Sequence, residues 1–502
     1  MDYCVWASPN ILEDLALKEH LCSYFHDPIS LLTFDVKLIR ERNLIIKSLM
    51  EHESLYTSLC NLHEKSQQLL QMTRLKSNNE PAVILDFIND FPIFYKAIDD
   101  ACTMIESIDV LPDYFRRLCA GLRSYLATNF PYDFLKLCPK FITESVKAES
   151  ITFMIHFSKY AEIKSIAISK LSSQKYNINT YLSRWTDNKS LKALTVQTLA
   201  PRAYSEMYKS LNRNWQTLEP IVFSNSCDKL MNLQLISAKD QLTSVQNIMQ
   251  KEILHFANEL PFFIKAVQYA NDLKRQADNV CFAKIENIED KTLIVNKMQH
   301  PALIRMKSVV TNDASLAQGQ EIALLGGTNR GGKTVYLQTI GAMQILFQMG
   351  LPLPAANARI SPVKKIVNVF ASAENASLKY GQLGHEITTI CTAIDQVNEE
   401  SLFLFNEPIT ATSSFENYFI SKEAICVLMA KKARGVWVTH LYTLFGDIPK
   451  MNKLDIGSTI FSMRTGQKDD KQNSFKIITG APDYYSGAKE LYISVTENNK
   501  HS

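Results

Sequence analysis

The chain has 502 residues, enough for two to four domains, with 46% hydrophobic residues and a formal net charge of +3. No apolar run reaches the roughly 18 residues of a membrane span, and the first residues lack the pattern of a signal peptide. The ten cysteines include no C-x-x-C pair, which argues against a zinc site or a disulfide framework. We therefore expect a protein of the reducing cytoplasm without a membrane segment.

Residues before about 290 are predicted to be mostly helical, because glycine is scarce there and apolar residues recur at helical spacing. The stripe from Leu242 to Leu260 predicts one amphipathic helix. A second helix is expected to begin near Pro261 and to run to about Lys274. Stripes of this kind are usually packing faces, so we assign no chemistry to them.

A basic segment lies within this helical region, at residues 136–215. Its thirteen Lys and Arg residues outnumber five acidic ones, so it carries roughly +8, while the rest of the chain is net acidic. Interleaved tyrosines and tryptophans favour a surface for a nucleic-acid backbone; a solvated, lysine-rich helical face is the alternative. The residues predicted to contact DNA are Lys175, Arg184, Lys189, Lys192, Arg202, Lys209 and Arg213.

From Val280 onward the pattern changes to short apolar runs that alternate with helical stretches, as in a nucleotide-binding α/β domain. Helices are expected at 335–343 and from about Asn417 to Lys432. A polar stretch at 466–473 predicts a surface loop or hairpin connection. The predicted strands are Thr292–Val295, Ile322–Leu325, Ile366–Ala371, Ser401–Phe405 and Gly435–Thr439.

Residues 327–334 fit the pattern G-x-x-x-x-G-K-[ST], a loop whose backbone N–H groups surround nucleotide phosphates. The loop follows a predicted strand and precedes a predicted helix, whose dipole favours phosphate charge. This context predicts binding of ATP or GTP, in preference to a fortuitous glycine turn. The predicted cofactor-binding residues are Gly327, Thr328, Asn329, Arg330, Gly331, Gly332, Lys333 and Thr334.

Two further strand ends carry candidate catalytic residues. The run 402–407 resembles a Walker B strand, but Asn406 stands where an Mg²⁺-binding aspartate is usual. Glu407 follows as a candidate to orient the attacking water, although it could merely cap the strand. His440 follows the strand at 435–439, where a side chain can sense the terminal phosphate or serve only structure. Mg²⁺ is expected at Thr334 and, through water, at Asn406, with a compensating carboxylate such as Glu374 left open.

These residues resemble the MutS family of DNA mismatch-repair ATPases. Residues 326–336 are similar to the family pattern T-G-P-N-M-G-G-K-S-T-Y, and Thr439-His440 is similar to its A-T-H. His300-Pro301 and 310–313 resemble the family's R-H-P and V-P-N-D. Similarity is specific over roughly 290–490 and weak over about 30–290. Further similar stretches are 353–355, 358–360, 475–480 and 486–488.

The departures from the family pattern are equally informative. No counterpart of the mismatch-reading domain with its Phe-x-Glu wedge is found, and Asn406 replaces an aspartate. Where the family has a serine that reaches the neighbouring subunit's ATP, this chain has Gly381. The dimerising helices would be shortened after about Leu491. The resemblance still implies a homodimer or a MutS-like heterodimer.

We therefore predict a multidomain α + α/β fold, in which a helical lever or core domain precedes a P-loop, ABC-like ATPase domain. Its expected function is to bind duplex DNA, mismatched or branched, and to couple ATP binding and hydrolysis to conformational change, in the cytoplasm or on a bacterial nucleoid. A hydrolysis-deficient regulatory switch and an ATPase acting on a protein partner are the alternatives. The predicted segments are a first lever part (1–135), a basic helical insertion serving as a reduced DNA clamp (136–215), returning lever helices (216–285), the ATPase domain (286–491) and a polar tail (492–502).

Overall fold

The computed structural model describes residues 4–74, 81–127, 150–157, 163–172, 260–306, 309–328, 330–370, 381–467 and 473–482. The seven predicted DNA contacts, together with Asn329 and Glu374, lie outside these ranges. The chain divides into two compact units, Met1–Glu53 with Phe262–Ser502, and Ser54–Pro261. Within the described ranges, no helix is both long enough and apolar enough to span a bilayer.

The helices and strands are numbered in chain order. The helices are α1 (Ile11–Asp14), α2 (Lys18–Cys22), α3 (Val36–Glu51), α4 (Glu53–Arg74), α5 (Pro81–Glu106), α6 (Asp113–Ala127), α7 (260–276), α8 (Lys333–Met349), α9 (Gly381–Gln396), α10 (Ser414–Ala430) and α11 (Tyr442–Asn452). The strands are β1 (Trp6–Ala7), β2 (Ser150–Phe157), β3 (Ile163–Ser172), β4 (Lys284–Ile285), β5 (Leu293–Met298), β6 (Asn312–Leu316), β7 (Ile322–Gly326), β8 (Asn357–Ile360), β9 (Lys365–Phe370), β10 (Ser401–Asn406), β11 (Arg434–Val438), β12 (Ile460–Gln467) and β13 (Asn473–Thr479).

A seven-stranded sheet organises the first unit, with strand order β1-β9-β10-β11-β7-β12-β13. Every neighbouring pair is parallel except β12 with β13. All residues of β7 and β11 are buried, as expected for parallel strands covered on both faces. The mixed α/β fold and the strands predicted in this region are thus confirmed. The carboxyl ends of β7, β10 and β11 meet at one edge, where open parallel sheets bind ligands.

Helix α8 is buried along nearly its whole length, because the sheet covers one side and the N-terminal residues cover another. A Cβ at Gly341 would lie 2.7 Å from Leu15 Cδ1 and 2.8 Å from Leu404 Cδ1, so no larger residue fits there. Gln338 donates to the carbonyl of Asp14 at 2.8 Å. The first 53 residues therefore belong with the α/β unit, a division that cuts across the segment predicted as 1–135.

A four-stranded sheet, in the order β4-β8-β5-β6, flanks the main sheet in the same unit. Strand β5 pairs with β6 and β8 in antiparallel fashion. Asn312 of β6 makes two hydrogen bonds to β13. Its Nδ2 donates to the carbonyl of Phe475 at 3.0 Å, and its Oδ1 accepts from the amide of Ile477 at 2.8 Å. This contact brings residues from before the phosphate loop and residues from β13 to one place beside it.

The second unit contains α4, α5, α6 and the antiparallel hairpin of β2 and β3. Arg123 of α6 donates to Asp99 at 2.6 Å and to Glu106 at 2.8 Å, which ties α6 to α5. Within the segment predicted as a basic helical insertion (136–215), the described residues Ser150–Phe157 and Ile163–Ser172 form strands and not helix. Apolar residues alternate with period two in β2, a strand pattern that outweighs the helical character of the flanking sequence. The lever and clamp assignments remain predictions.

Candidate nucleotide-binding site

The loop between β7 and α8 is shaped by glycines and by one residue that is distant in sequence. Gly327 has a φ of 130°, and a Cβ on it would lie 2.2 Å from Thr465 Oγ1. The same hydroxyl oxygen accepts from the amide of Thr328 at 3.3 Å. A Cβ at Gly331 would likewise lie 2.6 Å from Thr465 Cγ2. Glycine is therefore required at both positions, because the loop backbone packs directly against the side chain of Thr465.

Helix α8 begins at Lys333, directly after Gly332, whose φ of 88° suits a glycine. Gly332 offers no side chain to cap the helix, so the first N–H groups are not satisfied by a side-chain acceptor. Unsatisfied N–H groups and the helix dipole make such an N-terminus a site for anions. The described part of the loop, Gly327, Thr328 and Arg330 to Thr334, thus provides backbone N–H groups that suit phosphate.

Lys333 is the buried cation of this loop, with 5% of its surface exposed. Its Nζ donates to the carbonyls of Gly327 and Thr328, both at 3.0 Å, and so holds the loop closed around it. Burial lowers the pKa of Lys333, and the carboxylate of Glu407 opposes that shift. The ammonium group lies where it can neutralise phosphate oxygens bound to the loop.

The predicted residues on neighbouring strands are brought together with this loop. Thr334 Oγ1 lies 3.5 Å from Asn406 Oδ1 at the end of β10. Glu407 Oε1 lies 2.7 Å from His440 Nε2, which follows β11. Glu407 has a φ of 48°, a conformation that costs a non-glycine residue about 1 kcal/mol or more. A strained carboxylate paired with a histidine makes this edge a candidate functional site.

The pKa of Glu407 reflects these neighbours. Burial raises the pKa of Glu407, but the hydrogen bond from His440 and the charges of His440 and Lys333 lower it below the ordinary 4.5. Glu407 is therefore ionised at neutral pH and already has a hydrogen-bonding partner. A carboxylate in this state can accept a proton or orient water only if its bond to His440 rearranges.

A cavity of about 540 Å³ opens beside the loop. One part of its wall is polar and includes Arg330, Lys333 and Glu407. The lining also includes apolar side chains, among them Phe475, whose Cδ1 would lie 3.6 Å from a Cβ on Gly332. A cavity lined both by the loop and by apolar side chains suits a nucleotide in volume and chemistry. The other described apolar residues that line it are Met298, Leu303, Met306, Val309, Val310 and Val335.

The donor set at the predicted metal position does not fit Mg²⁺ in the usual way. Of the residues that the structure describes, the oxygens at this position are the Thr334 hydroxyl and the Asn406 amide, both neutral, whereas Mg²⁺ is usually held through one or two carboxylates and substrate phosphates. Among the described residues that line the cavity, Glu407 is the one carboxylate, and it is paired with His440. Over the described ranges, no cluster of three or more His, Cys, Asp or Glu residues is arranged to hold a metal.

The loop after Glu407 is held by a residue whose role the sequence pattern did not reveal. Glu386 of α9 accepts from the amides of Thr410 and Ala411, both at 2.9 Å, and from the Thr410 hydroxyl at 2.7 Å. Asn417 donates to the carbonyl of Ile409 at 2.7 Å. Thr465 and Glu386 both act on segments far from them in sequence, so local patterns carry no signal for either contact.

The fold and the site together define a structural class. The protein is a mixed α/β protein with a largely parallel sheet and a glycine loop at the carboxyl edge of that sheet. Residues 323–483 match the family model of MutS domain V. A DNA mismatch repair protein MutS of Ehrlichia ruminantium (strain Gardel) is 24% identical over 51% of this chain and 32% of the relative. An endonuclease MutS2 of Clostridium novyi (strain NT) is 28% identical over 39% of this chain and 26% of the relative.

A third relative, a DNA mismatch repair protein MutS of Leptospira interrogans (serovar copenhageni, strain Fiocruz L1-130), is 25% identical over 39% of this chain and 24% of the relative. The chain thus matches about a third or less of the length of these relatives. The chain is therefore similar to proteins of the MutS family, and its α/β region contains the sequence that matches MutS domain V.

Proposed function

We propose that this chain is a MutS-like protein that binds ATP at the loop between β7 and α8 and binds DNA through its basic segment. ATP binding would then change its conformation during DNA mismatch repair or a related process. The observation that carries the proposal is the loop itself, in which Lys333 is buried against the loop carbonyls at the edge where Asn406, Glu407 and His440 meet.

Each part of the cavity has a distinct task in this proposal. Backbone N–H groups from Gly327 to Thr334 would hold phosphate oxygens, and Lys333 would neutralise them. The apolar lining residues, among them Phe475, would hold the base. Bound ATP supplies the terminal phosphate, whose presence or loss can distinguish two states of the protein. In this proposal His440 would sense that phosphate; its position after β11 and its contact with Glu407 support that role.

A second candidate function is a nucleotide-binding switch with little or no turnover. Two observations favour it: Asn406 brings no negative charge for a metal, and Glu407 is occupied by His440. A switch of this kind would act as a regulatory or interaction protein. In either case the family resemblance supports a homodimer or a MutS-like heterodimer.

The two candidates are separated by measuring ATP binding and turnover by the full chain, with and without duplex, mismatched and branched DNA, beside Asn406→Asp. DNA-stimulated turnover by the natural chain supports an ATPase. Tight binding without turnover, with turnover gained by Asn406→Asp, supports the switch. Absence of ATP binding in every condition contradicts both.

DNA binding is tested through its salt dependence, since each neutralised phosphate contributes about −0.9 to the slope of log K against log salt. Replacing the seven predicted DNA contacts by glutamine should flatten the slope by several units. An unchanged slope would exclude the basic segment as the DNA surface. A matched control replaces seven exposed basic residues elsewhere: Lys18, Lys37, Arg40, Lys274, Lys284, Lys297 and Lys453.

A further inference from the structure

The charges lining the cavity are biased toward binding an anion. Among the described lining residues, two side chains are cationic, Arg330 and Lys333, and one is a carboxylate, Glu407. His300 also lines the cavity, but burial lowers its pKa to about 4, so it is neutral at pH 7. The carboxylate also has a hydrogen-bonding partner, His440, 2.7 Å away. A triphosphate entering the cavity therefore has two cationic side chains within reach before any metal ion is added.

Arg330 is the unusual member of this set. It stands within the phosphate loop, at the position where the family pattern quoted above has methionine. Its φ is 60°, a conformation that is unfavourable for a long side chain. Strained residues concentrate where function requires them, and a guanidinium group binds phosphate oxygens through two parallel hydrogen bonds.

Asn406 changes the charge balance in the same direction. A carboxylate there would attract Mg²⁺, but without the metal it would repel a bound triphosphate at short range. An amide repels neither species, and its NH₂ group can donate to a phosphate oxygen. The site has therefore gained a cation at Arg330 and lacks an anion at Asn406, relative to the family pattern.

We propose that this site binds the triphosphate of ATP without a divalent cation, with Arg330 and Lys333 supplying the positive charge that Mg²⁺ supplies in a carboxylate-containing site. The inference rests on the proposed function, because it concerns the same nucleotide. On this proposal, the asparagine at position 406 favours ATP binding, because it removes a negative charge next to the triphosphate. It also implies that the nucleotide state of the protein does not follow the free Mg²⁺ concentration.

The test measures the Kd of the full chain for ATP by calorimetry, in Mg²⁺ and in EDTA. We expect the two Kd values to agree within about threefold. Arg330→Met should weaken binding in EDTA by about 10- to 100-fold, the usual cost of losing charge-assisted hydrogen bonds. Arg330→Lys keeps the charge but not the two parallel hydrogen bonds, so its affinity should lie between those of the natural chain and Arg330→Met. Arg275→Met, the same chemical change at an exposed position on α7, should have no effect.

Asn406→Asp provides the converse test: its ATP binding should weaken at least tenfold in EDTA and recover in Mg²⁺. The inference is overturned if the natural chain binds at least tenfold more weakly in EDTA, and Glu374→Gln then shows whether that residue is the missing metal ligand. It is also overturned if Arg330→Met binds as the natural chain does. Absence of ATP binding in both buffers is a different result, because it contradicts the proposed function itself.

Discussion

The two sides of the candidate site differ in how closely they follow the pattern of a nucleotide-hydrolysing site. The loop between β7 and α8 has its glycines in the required conformations and its lysine buried against the loop carbonyls. The ends of β10 and β11 instead present an amide at Asn406 and a carboxylate already paired with His440. Phosphate binding depends on backbone shape, whereas metal binding and water activation depend on single side chains. One substitution can therefore alter metal binding or water activation without disturbing the fold.

The largest effect is expected from Lys333→Ala, which removes the buried cation of the binding side. ATP affinity should fall on the order of 100-fold, because the phosphates lose a charge-assisted partner and the loop loses two hydrogen bonds. Titration with a fluorescent ATP analogue measures the change. Lys365→Ala is the matched control, since this partly buried lysine also donates to a backbone carbonyl, that of Gln396. Equal affinities for the two variants would contradict the assignment of the loop.

The second prediction concerns the shape of the loop. Gly327→Ala places a Cβ against Thr465 in an unfavourable φ, and should reduce the free energy of unfolding by about 2 kcal/mol or more. Gly319→Ala is the control: its φ of 85° is also positive, but no atom lies within 4 Å of the added Cβ. Chemical denaturation should show a loss of about 1 kcal/mol for the control. If the two losses are equal, contact with Thr465 does not shape the loop.

Much of this site was predictable from local sequence. Buried parallel strands are continuous apolar runs, so β7, β10 and β11 were recognised, and residues directly after them had to meet at one edge. Asn406, Glu407 and His440 are therefore found together, as predicted. Contacts between distant segments leave no such pattern, because they depend on how complete elements pack. The support of Gly327 by Thr465 and the cover of α8 by the first residues belong to this second group.

The third prediction addresses the pairing of Glu407 with His440. The pKa of Glu407 is lowered in the folded chain, so its ionised form stabilises the fold at pH 7, and this contribution is lost as pH falls below 4.5. Glu407→Gln should cost about 1.5 kcal/mol at pH 7, and the difference from the natural chain should vanish near pH 3. Urea denaturation at several pH values tests this. Glu400→Gln, which removes a surface ion pair with Lys364, should cost a few tenths of a kcal/mol.

The smallest effect is expected at Glu386, which connects α9 to the loop after Glu407. Burial raises the pKa of Glu386, but hydrogen bonds from Thr410 and Ala411 lower it below 4.5, so an ionised carboxylate holds the loop. Glu386→Gln should weaken these bonds by about 1 kcal/mol and speed exchange of the two amide hydrogens several-fold.

Hydrogen exchange measured residue by residue distinguishes this effect from general destabilisation. Glu416→Gln is the control, because Glu416 bonds Thr412 and Ser413 of the same loop but neither of the two reporting amides. Faster exchange at Thr410 and Ala411 in the control as well would mean that the loop opens as a whole. Faster exchange in Glu386→Gln alone would identify α9 as the element that holds the loop beside Glu407. Movement of α9 could then shift the loop that follows Glu407, at the end of β10. The loop between β7 and α8, in contrast, is held by hydrogen bonds to its own backbone carbonyls.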